Sequence, residues 1–295
     1  MEVSREMGAL LNLNKPVSAV RRPAVRPEPG YLLFSLAMLF IGLAMVFPFI
    51  VMLSVSMKTQ STVFSSSLIS LPLNWKNYIT VCTDPNYINW YSNSICAVAT
   101  TIVLRLFITT LAAYAFARLS FKGKDAVFLI LIATMMITPE TTIVPRYLFY
   151  KKINLLDSMW VIVLPELFEV FYLFMLRQFM IRIPGELSEA ADIDGASHFS
   201  IYWRIILPLS KTVMVTVVLF SFIYLWNDFI NPYLFIRSMD KQLLTAALKY
   251  FQDEAGANIP VQLAGAATSI VPIVILFAAT QKYFVEGIST SGIKG

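Results

Sequence analysis

Charge is the scarcest ingredient of this 295-residue chain: 14% of its residues are Asp, Glu, Lys or Arg, against roughly 25% in soluble domains. With 57% hydrophobic residues and a mean hydropathy of +0.68, that deficit points to a protein of the lipid bilayer. The single histidine, His198, excludes a histidine-anchored zinc motif and fits an exposed loop contact better than a proton relay. Cys82 and Cys96 are the only cysteines; they make neither a disulfide framework nor a metal site and read as two unpaired thiols. A phosphate-binding loop is missing as well. Lysine precedes Ser or Thr only at Lys58-Thr59 and Lys211-Thr212, without the required glycines, so the chain does not hydrolyse nucleotides through such a loop. The net charge of +5 is not gathered into a run that would grip nucleic acid.

What is abundant is apolar sequence in long stretches. A polar start with Pro16, Pro23, Pro27 and Pro29 precedes the first of them. A cleavable signal peptide has a shorter charged start and a small-residue cleavage site, so residues 31–56 are read as an uncleaved span. A membrane helix needs about 20 apolar residues, and six segments qualify: 31–56, 94–117, 126–144, 158–178, 211–233 and 259–284. This predicts an all-α membrane protein with six transmembrane helices. Pro139-Glu140 interrupts the third segment, which is expected to kink or end there. Lys and Arg number 14 on the side that would hold both termini and 8 on the other, with Arg105 inside the second segment. That bias places both termini of this multi-pass chain in the cytoplasm. No internal repeat supports an inverted-repeat transporter.

Between the fourth and fifth segments lies "PGELSEAADIDGASHFSIYWRIILP". Pro184 suits a first helical turn, Glu186 and Glu189 sit near the positive end of the helix dipole, and Ala190 and Ala191 favour helix. Gly195 ends that helix or lets another backbone approach, and Leu207-Pro208 breaks a second short run. An amphipathic helix on the bilayer surface is one reading. Its carboxylates, Glu186, Glu189, Asp192 and Asp194, would be repelled by an anionic leaflet. Insertion into a cation-lined protein pocket is the other.

Glu189-Ala190-Ala191, three residues, Gly195, nine residues, Ile205, one residue, Leu207-Pro208 resembles the loop of the membrane permease subunits of binding-protein-dependent ABC importers. "AYAFARLSFKGKD" (113–125) and the closing "EGISTSGIKG" are similar to stretches of the smaller six-span permease in carbohydrate importers of the maltose-permease type. The resemblance covers residues 31–295 and implies the type I ABC importer permease fold. The resemblance also implies the bacterial inner membrane, and the expected parts are a permease domain (31–284) containing a coupling loop (184–208) and a cytoplasmic tail (285–295), preceded by an N-terminal cytoplasmic segment (1–30) outside the resemblance. It implies that Glu189, Ala190, Ala191, Gly195, Ile205, Leu207 and Pro208 dock on a cytoplasmic ATPase, and that Gly292, Lys294 and Gly295 reach the ATPase dimer. It further implies a second, homologous permease, two ATPase subunits and an extracytoplasmic solute-binding protein. On this reading the chain is no enzyme and binds no cofactor, ATP and Mg being held by the partner ATPases.

Ionisable groups inside spans face a cavity or a partner. Arg105 lies about as deep in the second segment as Glu166 and Glu169 lie in the fourth. Either an ion pair or contact with substrate explains them. In "YLWNDFINPY" the polar Asn227, Asp228 and Asn231 sit beside Tyr224, Trp226 and Tyr233. This mixture suits the hydroxyl edges and C–H faces of a sugar and equally an aromatic belt at the membrane interface. A permease for a non-sugar nutrient and an ion-driven secondary transporter remain the alternatives; the second leaves the acidic helix without a purpose.

Overall fold

A computed structural model describes residues 29–65, 67, 73–253 and 256–291. The expected N-terminal segment and the tail residues Gly292, Lys294 and Gly295 lie outside the described residues. The chain divides into two units, Met1–Ile50 and Val51–Gly295. Helix α1 (Pro29–Ser56) runs through the first and into the second. Its last turn is fastened by Asn77, whose Nδ2 donates to the backbone oxygens of Ser56 and Lys58 at 2.7 and 2.8 Å, satisfying carbonyls that a helix end leaves open.

The remaining helices are α2 (Lys76–Thr83), α3 (Tyr87–Arg118), α4 (Lys124–Thr134), α5 (Ile143–Lys152), α6 (Val170–Ile181), α7 (Glu186–Ile193), α8 (Lys211–Trp226) and α9 (Ile259–Ser291), with shorter turns between them. The one sheet among the described residues is a two-residue antiparallel ladder, Gln252–Asp253 with Gly256–Ala257. The fold is otherwise all-α, as expected.

Helix α3 is the axis of the second unit. Trp90, Ser94, Ala97, Thr101, Arg105, Thr109, Ala113 and Phe116 are all buried, and their spacing of three to four residues makes them one stripe. Most are small. Lipid tails are as apolar as leucine, so helices in a bilayer associate through close packing, which small side chains allow. Along this stripe three clusters form. One joins Ala113 and Phe116 to Leu173, Leu176 and Met180 of α6, to Ile201, Tyr202 and Ile206, and to Val217 of α8. Another joins Trp90 and Ile102 to Leu225, Trp226 and Ala264. The third joins Ala97 to Tyr150, Val161, Ile162 and Phe235.

Helices occupy all six apolar segments, but three are continuous enough to cross a membrane by length and composition, and five if each of two bent pairs counts as one span. The break at Pro139 is real: the axis turns by 86° between Lys124–Thr134 and Pro139–Lys152. The segment expected as a span at 158–178 is divided. A short helix, Trp160–Val163, passes into a 3-10 turn, Leu164–Glu166, then an extended Glu169 (φ −124°, ψ 127°) before α6 starts. Pro165 has no N–H to give to the Val161 carbonyl, where the α-helix gives way to the 3-10 turn, and the extended Glu169 completes the division.

Candidate functional site

The division of that segment frees backbone groups at membrane depth, where water does not satisfy them. Arg105, fully buried, does so from α3. Its Nε donates to the Glu166 carbonyl at 2.7 Å, its Nη2 to Glu166 Oε2 at 2.9 Å and its Nη1 to Ser221 Oγ at 2.9 Å. Glu169 Oε2 lies 3.9 Å from Nη1, and the guanidinium sits over the Tyr172 ring at 5.1 Å. The charge of Arg105 is thereby committed inside the fold.

On the far side of Glu166 is a cavity of about 510 Å³, lined by Glu140, Ile143, Arg146, Glu166, Tyr224, Asn227, Asp228, Phe229 and Asn231 among others. The end of α8 builds one wall. Asn227 closes the helix, its Nδ2 donating to the Ile223 carbonyl at 2.7 Å. Asp228 stands just before the next short helix, Ile230–Phe235, and steadies its first turn by accepting from Asn231 N at 3.2 Å and Asn231 Nδ2 at 2.8 Å. Arg146 Nη2 donates to Asn231 Oδ1, and its guanidinium stands 5.0 Å from the Phe235 ring.

Of the residues singled out in the sequence, Glu166, Tyr224, Asn227, Asp228 and Asn231 thus meet at one cavity. Arg105 lies behind Glu166. Glu169 does not line the cavity, and its side chain is 45% exposed. Trp226 is 3% exposed and faces the packed side of α8, stacked on Phe222 with Nε1 donating to the Ser269 carbonyl at 2.9 Å; it serves the core. Glu140 and Arg146 were not singled out as site residues. Their signal was ionisable residues beside prolines in the apolar "ITPETTIVPRYLFY".

The acidic segment forms a second feature. Helix α7 runs from Glu186 to Ile193 and is closed beyond its end by Gly195, whose φ of +76° suits a residue without Cβ. Ala196 N bonds to Ala191 O at 2.9 Å and Gly195 N to Asp192 O at 3.0 Å, the paired closure of a Schellman turn, with Ala191 and Ala196 packed on the same cluster. Glu186, Glu189, Ala190, Asp192 and Ile193 are exposed. Ser197 Oγ accepts from Ser200 N at 3.3 Å to start the next short helix at the exposed His198.

A π-helical turn, Tyr202–Ile206, leads into Leu207–Leu209. Pro208 cannot donate back to that turn, and the chain bends by 74° between His198–Leu209 and Lys211–Trp226. Ile205 and Leu207 pack against the core cluster rather than outward, while Pro208, Phe199 and Trp203 are exposed. The base of α7 is held by Arg118 at the end of α3, whose Nη2 donates to the carbonyls of Met180 and Ile183 at 2.9 and 2.5 Å.

Residues 106–290 match the family described as "Binding-protein-dependent transport system inner membrane component". The chain belongs to that family. The match takes in the cavity wall on α8, the acidic helix and most of α9, and begins one residue after Arg105. Among relatives of this inner membrane component, the arabinooligosaccharides transport system permease protein AraQ of Halalkalibacterium halodurans is 30% identical over 268 residues, covering 89% of this chain and 96% of that protein. The melibiose/raffinose/stachyose import permease protein MelC of Bacillus subtilis is 30% identical over 251 residues, covering 84% and 91%. A chain in the crystal structure of a bacterial ABC transporter that imports the acidic polysaccharide alginate shares the fold, with a TM-score of 0.77 at 23% identity, over 86% of this chain and 95% of that one.

Proposed function

We propose that this permease component forms half of the translocation path of an ATP-driven importer for a carbohydrate. Its names among relatives, arabinooligosaccharide and melibiose/raffinose/stachyose permeases, support the substrate class. The observation that carries the reading is α7: a short acidic helix, exposed along Glu186, Glu189 and Asp192, closed by Gly195 and seated on the core through Ala191 and Ala196. Such a helix fits a groove lined with cations on a cytoplasmic partner. That partner is an ATPase subunit, present twice, and it holds ATP and Mg; this chain supplies no hydrolytic centre. A second, homologous permease completes the path, and an extracytoplasmic binding protein delivers substrate. Both termini are cytoplasmic, and the tail through Gly292, Lys294 and Gly295 reaches the ATPase pair.

In mechanism, closure of the two ATPase subunits on ATP draws the acidic helices together, and the membrane helices change between outward- and inward-facing arrangements. Nucleotide biases a two-state element. Glu189 pairs with a basic groove residue, and Ala190 allows close approach. The test is the assembled transporter carrying Glu189→Lys with Gly195→Pro. Loss of ATPase co-purification and of transport is expected; survival of both would overturn the coupling role.

A further inference from the structure

We infer that the cavity beside Asp228 admits neutral saccharides and turns away uronic-acid saccharides, and that Glu140 and Asp228 set this choice. The inference rests on the carbohydrate reading above and deepens it.

Two basic groups lie near the cavity, and their placement decides its electrostatics. Arg105, the obvious anchor for an acidic sugar, is fully buried behind Glu166. Its Nε, Nη1 and Nη2 already serve the Glu166 carbonyl, Ser221 and the Glu166 carboxylate, so it neutralises Glu166 and offers nothing to a ligand carboxylate. That leaves Arg146 as the basic group in the lining, against the two carboxylates of Glu140 and Asp228. The lining therefore retains a net negative charge. A uronate would bring another carboxylate beside those of Glu140 and Asp228, and like charges repel.

A neutral sugar meets none of this cost, and the lining offers it complementary partners. Ionised carboxylates only accept hydrogen bonds and each has about four lone-pair sites. Asp228 uses two of its own on Asn231 and another on the Ile230 N–H, which leaves about one for a sugar hydroxyl. Tyr224 and Phe229, both exposed on this wall, supply faces for sugar C–H groups. The volume of about 510 Å³ lies within the ordinary range for small-molecule sites.

The test is calorimetric binding of raffinose and of trigalacturonate to the assembled transporter in nanodiscs, without binding protein, as wild type, Glu140→Gln and Asp228→Asn. Wild type is expected to prefer raffinose by about tenfold or more. Each substitution should raise trigalacturonate affinity several-fold and narrow its gap to raffinose, and added salt should weaken the wild-type preference. Glu140 is exposed, so its variant tests the idea even where Asp228→Asn impairs folding. Equal or tighter binding of trigalacturonate by wild type, or no response to Glu140→Gln, overturns charge selection and leaves the carbohydrate path standing. Failure of both probes to bind any form overturns the cavity as a sugar site and the inference with it.

Discussion

Arg105 meets Glu166 twice, at the backbone carbonyl (2.7 Å) and at the carboxylate (2.9 Å), so one side chain both closes a broken helix and balances a charge at membrane depth. The two functions make the residues act as a unit. Removing Arg105 leaves the Glu166 charge and carbonyl unpaired, at a cost of about 3–5 kcal/mol. Arg105→Ala, Glu166→Ala and the double variant should therefore lose transport and thermal stability non-additively, the double being little worse than Arg105→Ala. Thermal unfolding in detergent and uptake by proteoliposomes measure this; independent, additive losses would sink the pairing.

This pair marks how far the sequence could be read. The matching depths of Arg105 and Glu166 were visible because ionisable groups are rare in apolar segments. That Glu166 would also lend its carbonyl was not, since it depends on the extended Glu169 that interrupts the helix before Val170. Trp226 and Asn227 adjoin in sequence, yet one enters the core and the other the cavity, because α8 ends between them. Arg146 escaped notice for a similar reason: the 86° turn at Pro139 brings α5 back to the wall formed by α8, a contact that no local pattern encodes. The acidic helix was the easier part. Its end at Gly195 follows from short-range chemistry.

Gly195 gives the second prediction. An added Cβ would meet nothing within 4 Å, so the cost of substitution comes from the backbone alone: φ is +76°, a region that costs an L-residue about 1–2 kcal/mol. Gly195→Ala should loosen the end of α7 and lower substrate-stimulated ATPase activity of the assembled transporter. Gly195→Asn should be milder, because Asn visits that region more readily. Identical behaviour of the two variants would show that conformation is not what Gly195 supplies.

Thr110 and Tyr202 give the third. Thr110 Oγ1 donates to the Leu106 carbonyl at 2.6 Å, so at 2.8 Å the Tyr202 hydroxyl is the donor to it. This buried bond ties α3, the helix that carries Arg105, to the π-helical turn beyond α7. Tyr202→Phe keeps the packing on Tyr114 and removes the bond, costing about 0.5–1.5 kcal/mol. Basal ATPase activity should persist while its stimulation by loaded binding protein falls. Unchanged stimulation would assign the bond to stability alone.

Asp157 gives the last. It fastens the turn after α5 to the segment after Phe235: Oδ1 accepts from Arg237 N at 2.9 Å and Ser238 N at 2.8 Å, and Oδ2 from Ser238 Oγ at 2.5 Å and Lys241 Nζ at 3.2 Å. Burial pushes the carboxyl upward, but the bonds from Ser238, Arg237 and Lys241 outweigh it and hold Asp157 well below the usual carboxylate range. A depressed folded-state pKa stabilises at pH values above the unfolded one, about 3.9, and that contribution is lost as pH falls toward the folded value. Stability from this anchor should therefore be flat from pH 5 to 8, as roughly expected for a group ionised in both states there, and decline below about pH 4. Asp157→Ala should cost about 1–3 kcal/mol at neutral pH by leaving two backbone donors without their acceptor. The Lys241 pair, its lysine half exposed, should add little. Melting curves of wild type, Asp157→Ala and Lys241→Ala across this range decide it: a large loss in Lys241→Ala with a small one in Asp157→Ala would mean that the ion pair, not the backbone capture, holds the turn.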